Sequence, residues 1–307
     1  MNRFISTTSS GSFRNTLFAL FVFLTPAMVL PSNVVAQGKN IPKTLAPDRK
    51  EVYKTVGDVS LKVHIFEPDG HQATAKAPVI VLFFGGGWNG GSPKQFYEQA
   101  TRFASLGMVA LAAEYRIRKN HKTTPFECVT DGKSAIRWVR EHAGELGVDP
   151  ERIVAGGGSA GGHVACCSGI IEGYEQEGED HSISSVPNAM ILFNPVLDTT
   201  KKGFGAKRFK KAQQTSLSPC HHVRSDLPPT LVMHGTADTT VPFENATRFT
   251  KLMQDAGNRC QLESFKGAKH GFFNGKLAKP KAKNFDHYHK CMEASIEFLK
   301  SLQFLDD

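Results

Sequence analysis

Arg152-Ile-Val-Ala-Gly-Gly-Gly-Ser-Ala-Gly-Gly-His163 is the stretch that decides how this chain is read. Ile153, Val154 and Ala155 form a short apolar strand, a glycine cluster interrupts it, and helix-compatible residues follow. Within it, Gly157-Gly158-Ser159-Ala160-Gly161 fits G-x-S-x-G. A strand-to-helix turn this tight holds its central serine in a strained conformation and leaves no room for side chains beside it. The serine oxygen is then presented at the top of a sheet, facing the N-terminus of the next helix, which favours developing negative charge. Ser159 is the candidate nucleophile.

Gly156, Gly158 and Gly161 also spell G-x-G-x-x-G, as do Gly85, Gly87 and Gly90. Two matches in one chain show how little that dinucleotide pattern says alone. The dinucleotide fold wants an acid about 20 residues on, at the end of a strand. Here Glu172, Glu175, Glu177, Glu179 and Asp180 lie in a polar run that is no strand. The nucleophile reading is preferred, and it calls for no cofactor and no metal.

Strand-like and helix-like segments alternate on both sides of this stretch. Glu51–Val56 and Ser60–Phe66 open the series, and Pro78–Phe84 is a continuous apolar run suited to a strand buried on both faces. Val109–Glu114, Ala189–Phe193, Thr230–His234 and Gln261–Phe265 follow as strands. Helical spacing covers Pro93–Leu106 and Phe285–Leu302, and Thr124-Pro125-Phe126-Glu127 has a capping-box start with proline at the first helical position. The expectation is an α/β fold, a mostly parallel central sheet with helices on both faces, in one domain over residues 51–307. Chemistry in such sheets collects at the carboxyl ends of the strands.

Ser159 needs a base. His270, in Gly-Ala-Lys-His-Gly-Phe-Phe, stands between the last strand and the last helix, where a loop can carry it over the serine. His234 ends a buried strand and reads as structural, and His163 lies one turn along the serine's own helix and reads as packing. The base needs an acid to orient it. Asp238, just after Thr230–His234, is the candidate, with Asp198 as runner-up. Gly85-Gly86-Gly87 directly follows the long buried strand, and the amides of Gly86, Gly87 and Ala160 are the candidate oxyanion donors. Each such donor is worth roughly 3 kcal/mol in the transition state.

With the glycine run, Gly157–Gly161, the acid loop and His270-Gly271-Phe272 together, the chain resembles the α/β-hydrolase family, in the bacterial esterase/lipase branch related to hormone-sensitive lipase. The order nucleophile, acid, histidine is the order of that fold. The resemblance spans roughly residues 78–298 and is similar to exported acetyl and acetylxylan esterases of the branch. It implies a serine esterase for short acyl groups, with acetyl esters on carbohydrate as the expected substrates. The branch usually has histidine before its three glycines, whereas this chain has Phe84. Phenylalanine offers no side-chain hydrogen bond to steady the loop, and Phe84 is expected to narrow the acyl side. Little chain precedes the first strands, so an N-terminal cap is expected to be small or absent, with access shaped by residues 198–226.

Residues 1–36 read as a secretory signal peptide, with basic Arg3 and Arg14, an apolar run Leu17–Leu30, and Val34-Val35-Ala36 before Gln37. Residues 37–50 read as a linker, and the expected location is exported, with no membrane span after cleavage. The formal charge is +8, of which Arg3 and Arg14 contribute two, and most of the remainder comes from local clusters at Lys201–Lys211 and Lys276–Lys283, unlike a nucleic-acid surface. The run 199–225 holds Lys201, Lys202, Lys207, Arg208, Lys210, Lys211 and Arg224 without an acid and should emerge on the catalytic side. Six cysteines permit disulfides without fixing a pairing, and none has CxxC spacing. The expected partner is a small-molecule or carbohydrate ester. A serine peptidase of the same fold and a non-catalytic relative that binds a ligand are the alternatives.

Overall fold

A computed structural model of the chain describes residues 45–281 and 285–306, so the expected signal peptide lies outside the described residues. The described residues belong to one compact unit, Pro42–Asp307. Eight strands form one sheet: β1 Arg49–Val56, β2 Val59–Phe66, β3 Ala77–Phe83, β4 Val109–Ala113, β5 Val148–Gly158, β6 Ala189–Phe193, β7 Thr230–Gly235 and β8 Cys260–Phe265. Their spatial order is β1-β2-β4-β3-β5-β6-β7-β8. β1, β2 and β4 pair antiparallel, and every later pairing is parallel.

The helices are α1 Tyr97–Ala104, the single turn α2 Arg118–His121, α3 Pro125–Glu141, the single turn α4 Ala143–Leu146, α5 Ala160–Ile170, α6 Phe243–Asp255 and α7 Asp286–Lys300. The capping box of α3 forms as the sequence predicts: Glu127 accepts from the Thr124 amide and Thr124 caps the first turn. β3, β4 and β6 are buried along their whole length because helices cover both faces of the sheet, which is why their sequences run apolar without alternation. β1 opens at Arg49, two residues before the strand expected from Glu51. β5 is longer than expected, because Val148 pairs with Ala77 before a register shift brings in the serine stretch.

What positions chemistry is the register at the middle of the sheet. Phe83, the last residue of β3, stands beside Gly157 of β5, and Phe193 of β6 stands beside Gly158. The loops leaving β3, β5 and β6 therefore start at one level on the carboxyl edge. No helix among the described residues is long and apolar enough to cross a membrane. All six cysteines are buried and free, so the disulfides that the sequence permitted do not form.

Candidate active site

Ser159 caps α5 with φ 56° and ψ −118°, a conformation that costs a non-glycine residue about 1–3 kcal/mol. The flanking glycines have no alternative. A Cβ on Gly157 would lie 2.5 Å from the Gly161 carbonyl oxygen, and one on Gly161 would collide with the carbonyl of Phe83. The amide of Ser159 bonds to Phe193 O and its carbonyl accepts from His163 and Val196, so the turn is held on both sides.

His270 brings Nε2 within 3.0 Å of Ser159 Oγ, and its Nδ1 lies 2.7 Å from Asp238 Oδ2. An ionised carboxylate can only accept, so Nδ1 carries the proton and Nε2 is left to accept from the serine hydroxyl. Two features bring His270 back across the sheet from β8 to β5. The amide of Gly271 donates to Asn194 Oδ1 beyond β6, and the Phe273 ring packs on Phe193 and Phe96 over Gly158.

Asp238 is held by four donors. Burial alone would raise its carboxyl, but hydrogen bonds from His234 and His270 and from the amides of Val241 and Thr240 outweigh it, keeping it well below the usual carboxylate range. His234 read as structural from the sequence. It is fully buried, 3.0 Å from Val241 O and 3.3 Å from Asp238 Oδ2, and so supports the acid directly.

The glycine loop meets the serine turn at Gly85, where a Cβ would lie 3.3 Å from Ser159 Cβ. Among the described residues, the amides of Gly86, Gly87 and Ala160 have no protein acceptor, and Gly86 is exposed. Ala160 opens α5, so its N–H also lies at the positive end of that helix. The expectation for Phe84 is corrected. Its ring stacks on Tyr115 at 4.2 Å, it is only 3% exposed, and Tyr115 donates to its carbonyl at 2.6 Å. It is a packing residue beneath the loop and lines a side cavity of about 230 Å³ with Ser92, Pro93 and Ile117, to which Ser159 does not contribute. What ties the loop instead is Gln95, whose Oε1 accepts from the Gly85 amide at 2.6 Å.

The remaining candidates fall elsewhere. Asp198 accepts from the Thr200 amide and from Arg248 at 2.6 Å, which makes it a loop anchor and not the partner of His270. His163 is fully buried and bonds Leu217 O at 2.6 Å, while Trp88 Nε1 donates to its Nδ1. Trp88 in turn packs against Phe204 and Phe209, and Phe204 lies next to Gly87. The segment after Asp198 therefore borders the glycine loop, as expected. The sequence did not single out Gln95 or Asn274, since an isolated polar side chain beside a glycine loop carries no local signature.

A strained serine on a strand-helix turn, a histidine and carboxylate brought from two later loops, and amides without a protein acceptor meet at the carboxyl edge of this α/β sheet. The chain belongs to the α/β-hydrolase family. The BD-FAE family matches residues 63–200 and the dienelactone hydrolase family residues 210–302. Apo Thermogutta terrifontis esterase 2 superposes with a TM-score of 0.81 at 47% identity, over 86% of this chain and 98% of that one. Esterase LipC of Mycobacterium tuberculosis is 30% identical over 65% of this chain and 54% of its own length. Carboxylesterase NlhH from the same species is 27% identical over 78% and 81%. The chain spans about half the length of the first curated relatives it matches.

Proposed function

We propose that this protein is an exported serine carboxylester hydrolase for short acyl esters, acetyl foremost, with esterified carbohydrate as the natural substrate class. Ser159 attacks the ester carbonyl while His270 takes its proton and Asp238 stabilises the imidazolium. The amides of Gly86, Gly87 and Ala160 receive the oxyanion, His270 returns the proton to the leaving alcohol, and water releases the acyl group from Ser159.

The observation that carries this reading is the continuous line Ser159 Oγ, His270 Nε2, His270 Nδ1, Asp238 Oδ2, at 3.0 and 2.7 Å. For short acyl groups, support comes from the Thermogutta esterase, solved with propionate bound and with butyrate bound. Export rests on the sequence of residues 1–36 alone. The test is kcat/KM for p-nitrophenyl esters from acetate to octanoate, beside acetate release from acetylated xylan. Activity should fall as the acyl chain lengthens. A higher kcat/KM for octanoate than for acetate would remove the short-acyl reading, and hydrolysis of no ester would remove the whole of it.

A further inference from the structure

We infer that Gln95 is a positioning residue that sets the oxyanion loop and couples it to the loop carrying His270. Its side-chain amide spans the two. Oε1 accepts from the Gly85 amide at 2.6 Å, and Nε2 donates to Asn274 Oδ1 at 3.0 Å. Asn274 passes the link on, because its Nδ2 donates to the carbonyl of Gly271, next to His270, at 2.8 Å. The orientation of both amides is forced by chemistry. Gly85 N–H is a donor and Gly271 O an acceptor, so flipping either side chain would set donor against donor or oxygen against oxygen.

The placement gives the relay leverage. Gly85 is buried and precedes Gly86 and Gly87, whose φ values are 130° and 61°. Holding the Phe84–Gly85 peptide in place anchors the start of the loop and narrows the directions open to the next two N–H groups. Glu98 and Gln99, one turn further along, bond Leu277 N and Phe273 O, so the same segment grips the His270 loop at further points. Gln95 is the member of this trio that also reaches the glycine loop. With phenylalanine at position 84, the steadying bond to Gly85 comes from Gln95, ten positions beyond that glycine.

The inference rests on the esterase reading above and predicts how its catalysis fails. Gln95→Met keeps side-chain length but leaves the Gly85 amide without its acceptor. It should lower kcat for p-nitrophenyl acetate about 10–100-fold with KM within about threefold, because the loop acts on the transition state more than on bound substrate. Phosphorylation of the protein by paraoxon, whose phosphoryl oxygen would use the same amides, should slow in parallel. Asn274→Ala keeps the Gly85 bond and cuts the relay, so its kcat loss should be smaller, and the double variant should lose no more than Gln95→Met alone. A Gln95→Met kcat within twofold of wild type, or a raised KM with kcat intact, would overturn the positioning role. Fully additive losses would overturn the coupling. If Gln95→Met does not fold, Asn274→Ala decides: reduced kcat at unchanged KM supports the relay and unchanged kcat refutes it. A wild-type protein that cleaves no ester contradicts the function itself, whereas an active wild type with unaffected variants contradicts only this inference.

Discussion

The indole Nε1 of Trp88 donates to Nδ1 of His163 across 3.3 Å, fixing this buried imidazole as neutral. An indole N–H can only donate, so Nδ1 must accept and Nε2 must carry the proton bonded to Leu217 O. His163 thereby joins the tryptophan after the Gly85–Gly87 run to the segment that borders it.

That arrangement makes stability depend on pH. Burial, opposed in part by the bond to Leu217, pulls His163 down to about 4 from 6.5. Between those values the unfolded chain binds a proton that the folded chain does not. Stability should therefore fall as pH drops from about 6.5 toward 4, by up to roughly 3 kcal/mol from this group. Urea unfolding at pH 7 and pH 4.5 measures it, and His163→Gln should flatten the dependence. An unchanged slope in the variant would mean that another group is responsible.

Asp238 behaves in the same sense, in a lower pH range. Its folded carboxyl lies below the unfolded value, so its contribution is complete above the usual carboxylate range and is lost as pH falls through the folded value. Asp238→Asn should lower kcat on the order of 10⁴-fold at neutral pH by disturbing the His270 tautomer. The stability difference between wild type and variant should narrow below about pH 4. A gap that stays constant from pH 7 to pH 3 would contradict the ionised, four-donor description.

Phe84 packs on Tyr115 beneath the loop, so Phe84→Ala should cost about 3–5 kcal/mol of stability by opening a cavity. The ratio of kcat/KM for acetate to that for butyrate should stay within about twofold, because the ring does not contribute to the acyl side. Thermal denaturation and the ester series check both halves. A stable variant with a changed acyl preference would restore the expectation that the structure corrected.

How much was legible in the sequence follows from where each signal lives. Ser159, Asp238 and His270 stand at strand ends, and the alternation of apolar strands and helices orders those ends, so pattern alone led to the residues that the fold brings together. Phe84 was misread because a motif position fixes the backbone and leaves open which side a ring takes, and Tyr115 supplies the stacking partner from another strand's end. Gln95 and Asn274 are 179 residues apart, and their bond is a product of tertiary packing with no local pattern behind it. His234 was recognised as structural, but its contact with Asp238 needed the loop geometry.

Lys201, Lys202, Lys207, Lys210 and Lys211 are exposed on the segment that packs Phe204 beside Gly87, while Arg224 pairs with Glu172 at 3.1 Å. Positive charge on this segment should raise the local concentration of anionic esters. Acetylated oligosaccharides bearing uronic acid groups should therefore gain over neutral ones at low salt, and the advantage should shrink at high ionic strength. Equal ratios of kcat/KM at both salt concentrations would leave these lysines as surface only.

The central claim is that Ser159 is the nucleophile, and paraoxon labelling followed by peptide mass spectrometry tests it most directly. The wild type should lose ester hydrolysis in step with one diethylphosphoryl group per chain, carried on Ser159. Ser159→Ala should fold, take no label at the site, and hydrolyse p-nitrophenyl acetate at least about 10⁴-fold more slowly. A folded Ser159→Ala protein with wild-type turnover, or inactivating label carried on a different residue, would contradict the account.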